Sequence, residues 1–206
     1  MIKNQFNLYK NSWINSSKTG FSVDDNFNAI PWYSFEAIEF LKIHLKPEHK
    51  VFEFGSGSST LFYQNNCSNV IAVESNKTWF EIICEKISGK INSENNHFLS
   101  PNSEIFLLEN AIDNPEYEFF AKNYSIQNNI KFDFIIIDSL KRHLCTINSI
   151  DSLADNGFII LDDSERSNYQ KTINFLEQNN FIHIVFSGIA PAQLKIKNTS
   201  FFQKKK

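Results

Sequence analysis

Lys50-Val51-Phe52-Glu53-Phe54-Gly55-Ser56-Gly57-Ser58-Ser59-Thr60 is an apolar run that breaks into two glycines separated by a serine, with an acid two residues before the first glycine. The run reads as a buried strand, and the glycines as a tight loop poor in side chains, where the backbone adopts angles closed to other residues and a ligand approaches the main chain. Twenty-one residues beyond Glu53, a second apolar run, Val70-Ile71-Ala72-Val73, closes on Glu74. Strand, glycine loop, helix, strand and terminal acid make up half of a nucleotide-binding βαβ unit, with the acid placed to hold ribose hydroxyls. A dinucleotide fingerprint has a third glycine where this chain has Thr60. That substitution disfavours a pyrophosphate subsite.

The rest of the chain repeats the same alternation. Upstream, Ser34 reads as a helix N-cap, with Ala37, Ile38, Leu41 and Leu45 at helical spacing and Pro47 as the stop. Downstream, helices are predicted over 59–65, 77–87, 116–127, 144–154 and 168–179. Strands are predicted at 105–108, 132–137, 158–161, 181–186 and 200–202. Residues 88–104 and 187–199 read as loops. The run Phe132-Asp133-Phe134-Ile135-Ile136-Ile137 is nearly continuous in apolar character, as in a parallel sheet covered on both faces. The last two strands have no helix between them and are expected to pair antiparallel. Residues 1–30 are polar with scattered aromatics and read as an N-terminal arm or lid, followed by one domain over 31–206.

Ligands of open α/β sheets bind outside the carboxyl ends of the strands. Those ends carry Gly55, Glu74, Glu109-Asn110, Asp138 and Asp162-Asp163. Composition narrows the setting. The net charge of −3 and pI near 6.0 argue against a nucleic-acid binder, which usually shows a basic face. No apolar run approaches the ~18 residues of a membrane span, and Met1–Phe6 holds no apolar signal core. The three cysteines, Cys67, Cys84 and Cys145, show no CxxC spacing and read as reduced residues. A cytoplasmic protein is expected, of unspecified oligomeric state.

On Pro31-Trp32-Tyr33, Phe52 through Thr60, Asp138 with Arg142 and Cys145, Gly157 through Arg166 with Tyr169, and Gly188 with Thr199-Ser200-Phe201-Phe202, the chain resembles the class I S-adenosylmethionine-dependent methyltransferases. More narrowly, it is similar to a small bacterial and phage-like group without a well-defined substrate. The resemblance implies an α/β, Rossmann-like, seven-stranded, mostly parallel sheet with a reversed last strand and helices on both faces. It further implies that Glu53, Gly55, Ser56 and Gly57 border the methionine part of the cofactor. Ser58, Ser59 and Thr60 would add hydrogen bonds, Glu74 would bind the ribose, Asn110 and Ala111 would lie near the adenine, and Asp138 would face the ammonium or the acceptor. Ser139 stands where the family pattern has glycine.

Methyl transfer to oxygen needs an aligned nucleophile and a base. Asp138, Asp163 and His143 are the candidate bases, and Arg142 is a clamp for an acidic acceptor or an ion-pair partner of the nearby acids. Asp138, Asp162 and Asp163 also stand where metal-dependent catechol-type O-methyltransferases keep two aspartates and an asparagine around magnesium, which makes Mg²⁺ a possible cofactor. The acceptor is expected to be a small molecule or a sugar unit of a polysaccharide, with Trp13, Trp32, Tyr33 and Tyr169 as a stacking wall. The alternatives are a non-catalytic S-adenosylmethionine-binding protein and an NAD-dependent oxidoreductase.

Overall fold

Burial on both faces decides the architecture. In the computed structural model, which describes residues 2–87, 89–92 and 96–205, the strands β1 (Lys50–Phe54), β2 (Asn69–Glu74), β5 (Ser103–Leu107), β6 (Phe132–Ile137) and β7 (Leu153–Leu161) form a parallel core in the order β5-β2-β1-β6-β7. Their side chains alternate strictly. Val51, Val70, Phe134, Ile136, Phe158 and Ile160 enter one core, and Phe52, Phe54, Ile71, Ile135, Ile137, Ile159 and Leu161 enter the core on the opposite face. A strand flanked by two cores has no polar face to show, which is why these segments read as unbroken apolar runs.

Helices α3 (Phe35–His44), α4 (Ser58–Asn66) and α5 (Lys77–Lys86) cover one face, and α6 (Pro115–Asn128), α7 (Arg142–Ser149) and α8 (Gln170–Gln178) the other. Their starts follow local chemistry. Asn76 caps α5 by accepting from the Trp79 N–H at 2.9 Å, and Asn114 caps α6 ahead of Pro115. Ser34 stands at the N-cap of α3 but does not cap it. Its hydroxyl donates to the Phe186 carbonyl, and its N–H donates to Thr199 Oγ1.

Four segments depart from the sequence reading. Among the described residues the sheet has nine strands, not seven. The stretch 88–104, expected as loop, contributes the short antiparallel strands β3 (Lys90–Asn92) and β4 (His97–Leu99) beside β5; Ser88 and residues 93–95 lie outside the described residues. The expected loop 187–199 is the distal half of a long hairpin, β8 (Phe181–Ala190) and β9 (Gln193–Lys204), closed by Pro191 and a left-handed Ala192. Gly188 and Pro191 act here as fitting elements, not breakers. Proline needs no N–H partner at the turn, and a Cβ at Gly188 would sit 2.5 Å from Glu36 Oε2. Lys204-Lys205-Lys206, which reads in the sequence as a solvated basic tail, is partly strand, since Lys204 pairs with Phe181; Lys206 lies outside the described residues. The helix expected over 144–154 ends at Ser149, continues as a 3₁₀ turn over Ile150–Ser152, and gives way to β7.

The N-terminal residues form α1 (Ile2–Leu8) and α2 (Lys10–Thr19); Phe6 of α1, Trp13 of α2 and Tyr9 between them pack against the α3-side core. Strand β9 runs antiparallel to β7 and splits its pair of phenylalanines, Phe201 into one core and Phe202 into the other. Phe201 is fully buried and meets Phe40, Phe158 and Phe186 edge-on or tilted. Truncation there opens a cavity in a region that repacks poorly. Phe201→Ala is expected to cost about 3–5 kcal/mol, measured as a lowered midpoint in urea unfolding with little change of slope.

Candidate functional site

The site forms where the carboxyl ends of β1, β2, β6 and β7 meet. Gly55 leaves β1 with φ +98°, and a Cβ there would lie 2.7 Å from the Asp138 carbonyl oxygen. The chain can turn between β1 and β6 only without a side chain. The loop is then held from below. The Gly57 N–H donates to Thr60 Oγ1 at 2.9 Å, and that hydroxyl donates to Glu53 Oε2 at 2.5 Å; Ser59 bonds the other oxygen of Glu53. Glu53 is 1% exposed. Its carboxylate therefore lies beneath the loop, not at its surface. Ser58, Ser59 and Thr60 likewise spend their hydroxyls inward, Ser58 by accepting from the Ser22 N–H. Thr60, which replaces the third glycine of a dinucleotide loop, is the relay between loop and acid.

Glu74 closes the loop from the side. One oxygen accepts from the Ser56 N–H (2.9 Å) and hydroxyl (3.0 Å), and the other from the N–H groups of Ser75 and Asn76 (2.7 and 2.8 Å). Trp79 on α5 also holds the loop. Its indole N–H donates to the Ser56 carbonyl, while its ring stacks on Phe21 of the N-terminal segment at 5.6 Å between centroids. Ser12 and Ser16 on α2 bond the Val23 carbonyl behind Phe21. The N-terminal segment thus forms one wall of the glycine loop. After β5, Asn110 is exposed and left-handed (φ 57°), whereas Ala111 is buried in the α6-side core.

Beyond Asp138 the rim is crowded with charge. Arg142 is 8% exposed and donates to Asp138 Oδ1 (2.7 Å), to the Asp162 carbonyl and to the Ser139 carbonyl, with its guanidinium over the Tyr169 ring. It ties the ends of β6 and β7 together and clamps Asp138; its Nη1 and Nη2 are both occupied. His143, expected as a possible base, turns to α8, where Nδ1 meets Thr172 Oγ1 at 3.2 Å. Burial and the nearby Lys171 lower its pKa, and its place between helices takes it away from the acids.

Lys197 is the residue that sequence reasoning missed. It lies on β9, 5% exposed, and its ammonium reaches Asp162 Oδ2 (2.5 Å), Asp163 Oδ1 (2.9 Å) and the Trp32 carbonyl (2.9 Å). Thr199 donates to Asp162 Oδ1, and Arg166 pairs with Asp163 Oδ2. Burial works against the charge on Lys197, but the two aspartates raise its pKa above the ordinary lysine value. Burial likewise pushes Asp163 up, yet Lys197, Arg166 and Arg142 together bring it below the usual carboxylate range. The signal for Lys197 was its register: residues 197, 199 and 201 alternate inward along one strand. That register becomes visible only once 187–199 is recognised as a hairpin.

The metal reading does not fit this arrangement. Of the six carboxylate oxygens of Asp138, Asp162 and Asp163, five already accept from Arg142, Lys197, Thr199 or Arg166. Among the described residues, no group of three or more His, Cys, Asp or Glu side chains is arranged to hold a metal ion. Asp138 Oδ2 is the remaining oxygen. Asp138 itself lines a cleft of about 270 Å³ together with Trp32, Asp163, Arg166, Gln193 and Lys195. A larger cleft of about 470 Å³, lined by Tyr9, Ser12, Asp24, Phe35 and Glu39, shares no residue with the rim.

No protein-family model matches the sequence, and no curated protein matches it. Solved structures do. An O-methyltransferase from Bacillus cereus in complex with SAH superimposes with a TM-score of 0.63 at 16% identity, covering 100% of both chains. A putative O-methyltransferase from Klebsiella pneumoniae gives 0.59 at 11% identity over 97% of this chain and 90% of its own. An O-methyltransferase from Streptomyces achromogenes involved in tomaymycin synthesis, in complex with SAM, gives 0.58 at 9% identity over 82% and 77%. The chain has the class I S-adenosylmethionine-dependent methyltransferase fold. Within that fold the two short strands β3 and β4 are additions at the β5 edge, and the reversed β9 is the antiparallel strand expected from the sequence.

Burial pushes the Glu53 carboxyl up to about 8 from the ordinary 4.5, against the pull of the Ser59 and Thr60 hydroxyls. The folded state therefore binds a proton between pH 4.5 and 8 that the unfolded state has released, and stability falls as pH rises through this window. Glu53→Gln removes this titration. Its melting temperature is expected to fall less than that of the unaltered protein between pH 5 and pH 8.5, measured by differential scanning calorimetry.

Proposed function

We propose that this protein transfers a methyl group from S-adenosylmethionine to a hydroxyl oxygen of a small polar acceptor, such as a sugar unit. The observation that supports this most directly is the placement of the cleft. In a methyltransferase fold, the glycine loop with Glu74 lies on one side of Asp138 and a polar cleft floored by Asp138 lies on the other. The loop suits the cofactor. A side chain at Gly55 is sterically excluded, and Gly57 leaves only van der Waals contacts to Trp79 and Ser59 beside its backbone. Gly55, Ser56 and Gly57 would border the methionine part, Glu74 would accept the ribose hydroxyls in place of the Ser56 hydroxyl, and Asn110 would stand near the adenine. Glu53 and Thr60 act indirectly, by fixing the loop.

S-adenosylmethionine supplies a methyl group on a sulfonium, which leaves as a neutral thioether. The protein's remaining tasks are alignment and proton removal. Asp138 lines the cleft, and Arg142 holds its Oδ1, which leaves Oδ2 as the carboxylate oxygen of the three acids without a partner among the described residues. It takes the proton of the acceptor hydroxyl as the new carbon–oxygen bond forms. Asp163 has both oxygens bound and positions, without acting as base. Trp32 fixes its indole by donating to the Pro191 carbonyl at 2.6 Å and offers its ring as a plate for a sugar face, with Gln193, Lys195 and Arg166 as hydrogen-bond donors around it. No helix is long and apolar enough to cross a membrane among the described residues, and Cys67, Cys84 and Cys145 are free and buried. A cytoplasmic setting suits those thiols.

Isothermal titration with S-adenosylmethionine, with NAD as control, tests the cofactor. Micromolar binding of S-adenosylmethionine and none of NAD are expected, with Glu74→Ala weakening the former by at least about tenfold, or ~1.4 kcal/mol. A folded protein that does not bind S-adenosylmethionine overturns the reading. Asp138→Asn is expected to keep cofactor affinity within about threefold and to lower turnover by a factor of order 10²–10⁴, as loss of a general base does, measured by methyl transfer to a panel of sugar acceptors.

A further inference from the structure

The Lys197 ammonium rests in a half-shell of three oxygens: Asp162 Oδ2 at 2.5 Å, Asp163 Oδ1 at 2.9 Å and the Trp32 carbonyl at 2.9 Å. Two carboxylate oxygens and a backbone carbonyl converging on one point are the hard donors that Mg²⁺ or Mn²⁺ takes. All three N–H donors of the lysine are used, so none is left for an acceptor. Around it, the three acids Asp138, Asp162 and Asp163 face three cations, Arg142, Arg166 and Lys197. The rim balances its own charge.

We propose that Lys197 is the resident cation of this rim, standing where a divalent ion would otherwise bind, and that its ammonium is what makes the site metal-independent. A covalently tethered ammonium competes with a dissolved ion at high effective concentration. Mg²⁺ also dehydrates reluctantly and gains little from oxygens already neutralised. Lys197 is brought to this point by the β8–β9 hairpin, which reaches past the end of β7, where the Ser164 N–H donates to the Asn198 carbonyl at 2.9 Å. Lys197 is thus a positioning residue. It fixes Asp162 and Asp163, and through the Trp32 carbonyl it fixes the aromatic wall of the cleft. The inference takes the cleft as the acceptor side of the function proposed above, but metal binding tests it without cofactor or turnover, so either reading can fail alone.

The test is titration with Mn²⁺, followed by the loss of the free-ion electron paramagnetic resonance signal. The unaltered protein is expected to bind no Mn²⁺ at the rim up to about millimolar concentration, whereas Lys197→Ala vacates the oxygen half-shell and gains at least tenfold in affinity. Adding Asp163→Asn to Lys197→Ala is expected to abolish the gain, and Mn²⁺ is expected to raise the melting temperature of Lys197→Ala but not of the unaltered protein. Should Lys197→Ala not fold, Lys197→Gln, which is neutral and keeps part of the stem, is read in the same way. Mn²⁺ binding by the unaltered protein that is lost in Asp162→Asn overturns the proposal, because the ion and not the lysine would then be the resident cation. A folded Lys197→Ala that gains no Mn²⁺ affinity overturns it too.

Discussion

The ion cluster at the ends of β6, β7 and β9 is the constraint on which the rest of the site depends. Three carboxylates converge there because parallel strands end at one rim, and like charges so placed repel unless cations are interleaved. The cluster supplies those cations from three elements: Arg142 from α7, Arg166 from the turn after β7, and Lys197 from β9. Asp162 is 2% exposed, and burial together with the neighbouring carboxylates pushes its pKa up to about 7 against the pull of Lys197. Removing one member of such a buried set leaves the others uncompensated, a loss that typically exceeds what the pair contributed. The hairpin, the rim and the cleft wall at Trp32 therefore stand or fall together.

The glycine loop is organised by the complementary device, a buried acid that is not paired with a cation. Glu53 is solvated by hydroxyls from α4, and those hydroxyls in turn hold the Gly57 N–H. Glu74, at the end of the neighbouring strand, gathers backbone N–H groups from Ser56, Ser75 and Asn76. One acid fixes the loop from below and the other from the side. On the third side the loop abuts Asp138 and Ser139, where Gly55 leaves room for no side chain of its own.

Much of this was legible in the sequence. Continuous apolar runs marked β1, β2 and β6 because each strand is covered twice, and the acids closing those runs marked the rim because parallel strands end together. The additions at the edge were not legible. Lys90–Asn92 and His97–Leu99 are three residues each and are held by pairing, β3 on β4 and β4 on β5, so no local signal separates them from loop. The β8–β9 hairpin was half visible. Its inner residues Phe201 and Phe202 carry the apolar pattern, but in its outer half buried positions are held by Lys197 and Thr199 as well as by Ile189 and Ala190, and Gly188 and Pro191 imitate breakers.

The sequence by itself determined the order of elements, the glycine turn at Gly55, and which acids stand at the strand ends, because these follow from local periodicity and backbone sterics. Tertiary structure alone decided what each acid does. Glu53 turned inward, Asp138 kept one oxygen free, His143 was drawn to α8, and Asp162 and Asp163 met a lysine 35 and 34 residues further along the chain. The physical reason is that the fate of a charged group rests on its desolvation and on the counter-charge within a few ångströms. Those neighbours are assembled by strand register, not by distance along the chain.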